Sequence, residues 1–203
     1  MKLLADIPAW MPKVFPERQW FAPADGNTLY LSFDDGPHPD ITPQVLDWLD
    51  AFSAKATFFC IGDNVRKYPD IYAEILRRGH RTGNHTMHHL KGWQTPTASY
   101  VADVAAAAAL IQSPLFRPPY GRMTGAQARI LLPDYRIVMW SLLSRDYLQG
   151  LNLDGALRFL QQQSHSGDIV VFHDSEKAWK NLAFLLPRYL QFAAERGFTF
   201  AVL

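Results

Sequence analysis

Short β-type runs alternate with helix-type stretches along almost the whole chain, and this alternation restricts the fold more than any other feature. The β-type runs are TLYLSF (28–33), ATFFC (56–60), HRTG (80–83), LFR (115–117), YRIVMW (135–140), DIVVF (168–172) and FTFAV (198–202). HRTG is assigned from the alternation itself. Between the runs lie TPQVLDWLDAF, YPDIYAEILRRG, TPTASYVADVAAAAALIQ, TGAQARILL, LDGALRFLQQQS and AWKNLAFLLPRYLQFAAERG. Their spacing and punctuation read as helices. Thr42 and Pro43 mark a first turn, Gly79 and Gly197 close helices, and the alanines at 105–109 are strong helix formers. Pro187 inside the last helical stretch predicts a kink or break. Strand–helix alternation with no intervening linker predicts one parallel β/α domain. Seven strands are one short of the usual eight-stranded barrel. The expected fold is therefore α/β, a distorted (β/α)7 barrel, with an open doubly wound sheet as the alternative. Residues 28–203 form this domain, and 1–27 read as an irregular N-terminal segment packed on it.

Composition narrows the function. The formal net charge of +1 argues against a general nucleic-acid binder, which would carry a basic stripe. The single cysteine, Cys60, excludes an internal disulfide framework and a Cys-rich zinc site, and at the end of ATFFC it reads as a buried small hydrophobe. No apolar run approaches the roughly 20 residues of a membrane span. Asp6 and Pro8 interrupt the short apolar start, so it does not read as a signal peptide. These features predict a cytoplasmic monomer with neither nucleic acid nor membrane as partner.

In parallel β/α folds, chemistry collects where strands run into the loops before helices. The unusual residues obey that rule. Asp34 and Asp35 follow the first strand, NHTMHH (84–89) the third and RPPYG (117–121) the fourth; Trp140 ends the fifth, with Asp146 in the loop beyond, and His173 and Asp174 follow the sixth. A lone Asp before glycine is ordinarily a turn residue. Two adjacent acids repel, and a bound cation resolves that repulsion by stabilising both charges. Gly36-Pro37 must end the strand for both acids to face one opening.

Histidines four apart share a face if the segment is a helical turn, and histidine with carboxylate is a common zinc set. Spacing alone does not separate His85/His88 from His85/His89, and a surface histidine cluster is the plain alternative. Arg117 either snorkels to the surface or enters the mouth and holds a carboxylate ionised. His173 is either a satisfied core histidine or a catalytic group. Asp146 and Asp174 are possible partners for histidine or arginine, although an Asp after a strand is often only a helix cap.

SFDDGP, HTMHH, RPPYG, the Trp140–Tyr147 segment and VFHD, in that order, resemble the polysaccharide deacetylases with the NodB homology domain, the family 4 carbohydrate esterases. The resemblance runs from about residue 28 to the C-terminus. It implies a distorted β/α barrel and a divalent metal, zinc first, with cobalt or nickel able to serve. It also implies removal of N- or O-acetyl groups from sugars, most often from N-acetylglucosamine polymers. By the same resemblance, Asp35, His85 and His89 are the metal ligands, and Asp34 is the general base oriented by Arg117. His173 is the general acid supported by Asp146, and the Tyr120 N–H helps bind the oxyanion. Pro118, Tyr120, Trp140, Tyr147 and Val171 are implied in substrate binding, and Trp93 is a further aromatic that could stack on a sugar.

The chain departs from the family pattern at three places. Ser32 stands where Thr is usual, and Val171 where Leu is usual. The stretch Leu143-Ser144-Arg145-Asp146-Tyr147 lacks the first acid and the Trp of the common Asp-x-x-Asp-Trp. These departures bear on substrate choice more than on chemistry. Two rivals remain: a metal-dependent amidohydrolase acting on a small non-sugar amide or imide, and a sugar-binding module without activity.

Overall fold

The computed structural model describes Pro8, residues 10–24 and residues 26–203. The elements run α1 (Met11–Val14), β1 (Thr28–Asp34), α2 (Ile41–Ala51), β2 (Ala56–Cys60), α3 (Gly62–Lys67), α4 (Pro69–Arg77), β3 (Arg81–Asn84), α5 (Thr97–Ala108), β4 (Leu115–Phe116), α6 (Gly125–Leu131), β5 (Arg136–Ile137), β6 (Leu142–Leu143), α7 (Leu153–Gln163), β7 (Ile169–His173), α8 (Trp179–Glu195) and β8 (Thr199–Phe200). The sheet order is β5-β4-β3-β2-β1-β7-β6, with β8 pairing the start of β1. Every pairing between named strands is parallel. The sheet curls into a half-barrel, which is the distorted (β/α)7 barrel expected.

The central strands β1, β2 and β7 are buried on both faces, as parallel strands between helices must be. Their period-2 alternation separates two layers. Leu29, Leu31, Phe33, Phe58, Cys60, Val170 and Phe172 pack outward with Val45, Leu46, Leu182 and Leu186 of the helices. Tyr30, Phe59, Leu115, Val138 and Ile169 form a smaller inner cluster. Cys60 is fully buried, as expected of a small hydrophobe. Gly83 serves the inner layer, because a Cβ there would lie 2.5 Å from the Phe59 ring.

Three expectations need correction. The run 135–140 is not one strand. The chain pairs as β5 at one sheet edge, then crosses to the opposite edge and pairs with β7 as β6. Trp140 therefore lies in the crossing and not at a strand end. Backbone bonds hold this crossing at Val138 N–H to Phe116, Met139 N–H to Gln19 and Ser141 N–H to Ile169. Pro187 does not break α8, which continues from Trp179 to Glu195. The buried face of Leu182, Leu185, Leu186, Tyr189, Leu190 and Ala193 holds the helix together across the missing N–H. The third correction concerns the His85–His89 segment, which is not a helical turn.

Within the N-terminal segment, Gln19 bridges Val138, Phe21 bridges Asp168, and Trp20 is buried. Asp6 and the rest of 1–7 lie outside the described residues, as do residues 9 and 25. Among the described residues, no helix is long and apolar enough to cross a membrane.

Candidate active site

The inner parity of the strands selects the polar groups at the mouth. Tyr30, Ser32 and Asp34 share the inner side of β1, with Phe59 beside Asp34 on β2 and His173 beside it on β7. Gly83 pairs Phe59 on β3, so His85, two residues on, faces inward as well. Arg117 follows Leu115 inward in the same way. Asp35 has the wrong parity. Its φ of 83° lies in the left-handed region, and this turns its carboxylate back toward the opening that Asp34 faces.

Positive φ also shapes the histidine loop. Thr86 (φ 65°) and His89 (φ 56°) fold the segment over, so the His85 and His89 rings lie 5.1 Å apart. His89 Nε2 is 3.2 Å and His85 Nε2 3.8 Å from Asp35 Oδ1. One donor atom from each of Asp35, His85 and His89 lies within 4.8 Å of the others. His88 points elsewhere, with Nδ1 2.5 Å from Asp103 Oδ1, while Asp103 Oδ2 accepts the N–H groups of Met87 and His88.

The chemistry of this donor set fits a divalent cation. His85 Nδ1 is 2.8 Å from the Arg117 carbonyl, which calls for the proton on Nδ1 and leaves Nε2 with a free lone pair. Burial lowers the His85 pKa to about 4, so the ring is neutral at physiological pH. Burial opposes the charge on Asp35, but the His89 hydrogen bond and the surrounding imidazoles more than offset it. That carboxyl is held well below the usual range. One ionised carboxylate and neutral imidazole nitrogen suit zinc or a similar ion.

Two buried ion pairs flank the donors. Arg117 is fully buried and does not snorkel. Its Nη1 donates to Asp34 Oδ1 at 2.7 Å and Ser32 Oγ at 2.9 Å, Nη2 to the Met139 carbonyl at 2.8 Å, and the guanidinium lies 4.0 Å above the Phe59 ring. Burial lowers the Arg117 pKa, while Asp34 works against that shift. On the other side, His173 Nδ1 is 2.7 Å from Asp146 Oδ1, and its backbone N–H donates to Asp146 Oδ2. Burial pulls the His173 pKa down, but the Asp146 charge and hydrogen bond, joined by the Asp35 and Asp34 charges, more than offset this and hold it at about 9.

These groups meet at a cavity of about 540 Å³ lined by Asp34, Asp35, His85, His89, Tyr120, Trp140, Tyr147, Val171 and His173, together with Gly121, Arg122, Leu143 and Lys177. Arg117 and Asp146 stand behind its wall, fully buried. Pro118 is buried and absent from the lining. It enters the turn at φ −69°, and Tyr120 (φ 59°) carries the chain out to the mouth. Trp93, 64% exposed, lies outside the cavity beneath Arg122. Asp174 partners neither histidine nor arginine. Its carboxylate accepts from the Gly36 N–H and the Thr42 hydroxyl, since its parity points it toward α2.

Arg122 and Lys177 carried no motif signal, whereas Leu143 stands at the first position of the Asp-x-x-Asp-Trp stretch, where this chain lacks the usual acid. Gly121 was visible within RPPYG, and the reason for it is steric, because a Cβ would lie 2.5 Å from Trp140.

The family model for polysaccharide deacetylases matches residues 22–131. A peptidoglycan-N-acetylglucosamine deacetylase of Bacillus cereus is 32% identical over 189 residues, covering 89% of this chain and 88% of that protein. A chitooligosaccharide deacetylase of Azorhizobium caulinodans is 30% identical over 158 residues, covering 73% and 74%. A crystal structure of a peptidoglycan N-acetylglucosamine deacetylase superposes with a TM-score of 0.85 at 26% identity, covering 96% of this chain and 95% of that one. A half-barrel that carries the paired acids, the histidine loop and the RPPYG turn at one mouth, and that aligns with these proteins over most of its length, belongs to the polysaccharide deacetylase family.

Proposed function

We propose that the chain hydrolyses the acetamide of N-acetylglucosamine units in an oligo- or polysaccharide, using a divalent metal, zinc first, held by Asp35, His85 and His89. When bound, the ion supplies a Lewis acid that activates water and polarises the acetyl carbonyl. The chain's own residues supply the rest. Asp34, with Oδ1 held by Arg117, takes the proton of the attacking water on Oδ2. The Tyr120 N–H donates to the developing oxyanion, because its turn leaves the neighbouring Gly121 and Arg122 N–H groups occupied by Pro118 and Pro119. His173, with Nδ1 held by Asp146 and its pKa at about 9, is protonated at neutral pH and gives its Nε2 proton to the leaving amine. Trp140 and Tyr147 offer ring faces to the sugar, and Val171 and Leu143 meet the acetyl methyl.

The observation that carries this reading is the pairing of Asp34 with His173 across neighbouring strands. The two side chains sit side by side in register, and each is hydrogen-bonded to a buried partner of opposite charge. The test is acetate release from chitin oligosaccharides by zinc-loaded and chelator-treated protein. Release that stops on chelation and returns with zinc is the expected result. Chelator-insensitive release overturns the metal's role. Glycan binding without turnover, or turnover confined to small non-sugar amides, overturns the substrate.

A further inference from the structure

Asp174 is fully buried, carries a carboxylate and takes no part in the cavity. It sits beneath the turn that aims Asp35. Its Oδ1 accepts the Gly36 N–H at 3.1 Å, and its Oδ2 accepts the Thr42 hydroxyl at 2.6 Å. Thr42 Oγ1 in turn accepts the His38 N–H at 2.8 Å, so both ends of the segment 36–38 are tied to one carboxylate. The fit is close, since a Cβ on Gly36 would lie 2.1 Å from Asp174 Oδ2. From the opposite side the Asp35 carbonyl accepts the Asn64 side-chain amide at 2.7 Å, and the Gly36 carbonyl accepts the Ile61 N–H at 2.9 Å. Asp35 reaches the cavity only through its left-handed backbone, which a β-strand residue does not adopt unaided.

We propose that Asp174 is a positioning residue that holds the Asp35 turn in its left-handed form and thereby sets the affinity of the Asp35–His85–His89 triad for a divalent cation. This rests on the metal reading of that triad. Groups that orient metal ligands through hydrogen bonds change metal affinity by about 10- to 100-fold when removed. Asp174 differs from a direct ligand in acting only through the backbone of Asp35.

The experiment measures zinc affinity of the full chain by competition with a chromophoric chelator, alongside thermal melts of the metal-free protein. Asp174→Ala orphans the Gly36 N–H and is expected to weaken zinc binding by about 10- to 100-fold. Asp174→Asn keeps an oxygen for that N–H and is expected to stay within about threefold of wild type. The decisive comparison is made in an Asp35→Asn background. There Asp174→Ala is expected to add less than about threefold, because the ligand it positions is already lost. A folded Asp174→Ala protein with wild-type zinc affinity overturns the proposal. So does an equal loss in the Asp35→Asn background, which would mark a general structural effect. If Asp174→Ala does not fold, Thr42→Val, which removes the Oδ2 donor, carries the same comparison. Wild-type protein that takes up no zinc overturns the triad reading itself, and the proposal with it.

Discussion

Replacing Arg117 with methionine removes the positive charge that holds Asp34 inside the half-barrel while keeping much of the side-chain volume. The guanidinium makes hydrogen bonds to Asp34, Ser32 and the Met139 carbonyl at 2.7–2.9 Å, with a longer one of 3.3 Å to the Val138 carbonyl. Asp34 is 4% exposed and meets the cavity only at its edge, so water replaces little of what is lost at Oδ1. Breaking a buried ion pair from one side costs about 3–5 kcal/mol, chiefly because the remaining charge is left uncompensated. Adding Asp34→Asn removes that charge. The double variant is therefore expected to be more stable than Arg117→Met alone, with a coupling of about 2 kcal/mol. Arg117→Lys is expected to recover only part of the loss, since an ammonium cannot reach acceptors spread across the planar fork. Urea unfolding of chelator-treated protein, followed by tryptophan fluorescence, measures wild type, both single variants, the double variant and Arg117→Lys. A loss below about 1 kcal/mol for Arg117→Met, or single losses that add to within about 0.5 kcal/mol in the double variant, would refute the argument.

Asp35→Asn is expected to weaken zinc binding by at least about tenfold, whereas Asp34→Asn should retain zinc and lose acetate release; equal zinc losses in both would contradict the divided roles. Asp146→Asn leaves burial as the dominant influence on His173, so the alkaline limb of the activity profile should move to lower pH by more than about one unit. In chelated wild-type protein, the His173 pKa of about 9 lies above its ordinary 6.5, so its contribution to stability is complete below about pH 6.5 and lost as pH rises through about 9. Denaturant midpoints across that window should fall in wild type and flatten in Asp146→Asn. His88→Asn should leave zinc affinity within about threefold of wild type, because that ring turns to Asp103 and away from the donor set.

The readable parts of this protein are those that local pattern decides. Two-sided apolar runs such as ATFFC form buried parallel strands whatever surrounds them, and their alternation with helices leaves few topologies. Period 2 places Asp34 and Arg117 on an inner face once each strand is known. The misreadings came from segments whose conformation is set at a distance. Residues 135–143 look like a single strand, yet the curl of the sheet leaves a gap between its edges that this segment must cross. No break occurs at Pro187, because the helix is held by a buried face that propensity cannot weigh.

The sequence by itself determined the barrel class, the strand ends where chemistry gathers, and the family. These depend on residue type, spacing and order, which need no coordinates. Only the tertiary structure shows why His89 and not His88 joins His85 and Asp35; the family resemblance implied His89, while spacing alone left the two histidines equivalent. The choice rests on left-handed backbone at Thr86 and His89 and on Asp103, a residue of a distant helix that claims His88. The partner of Asp174 was hidden in the same way. Sequence places it beside His173, while strand parity sends its carboxylate outward to Thr42 and the turn that carries Asp35.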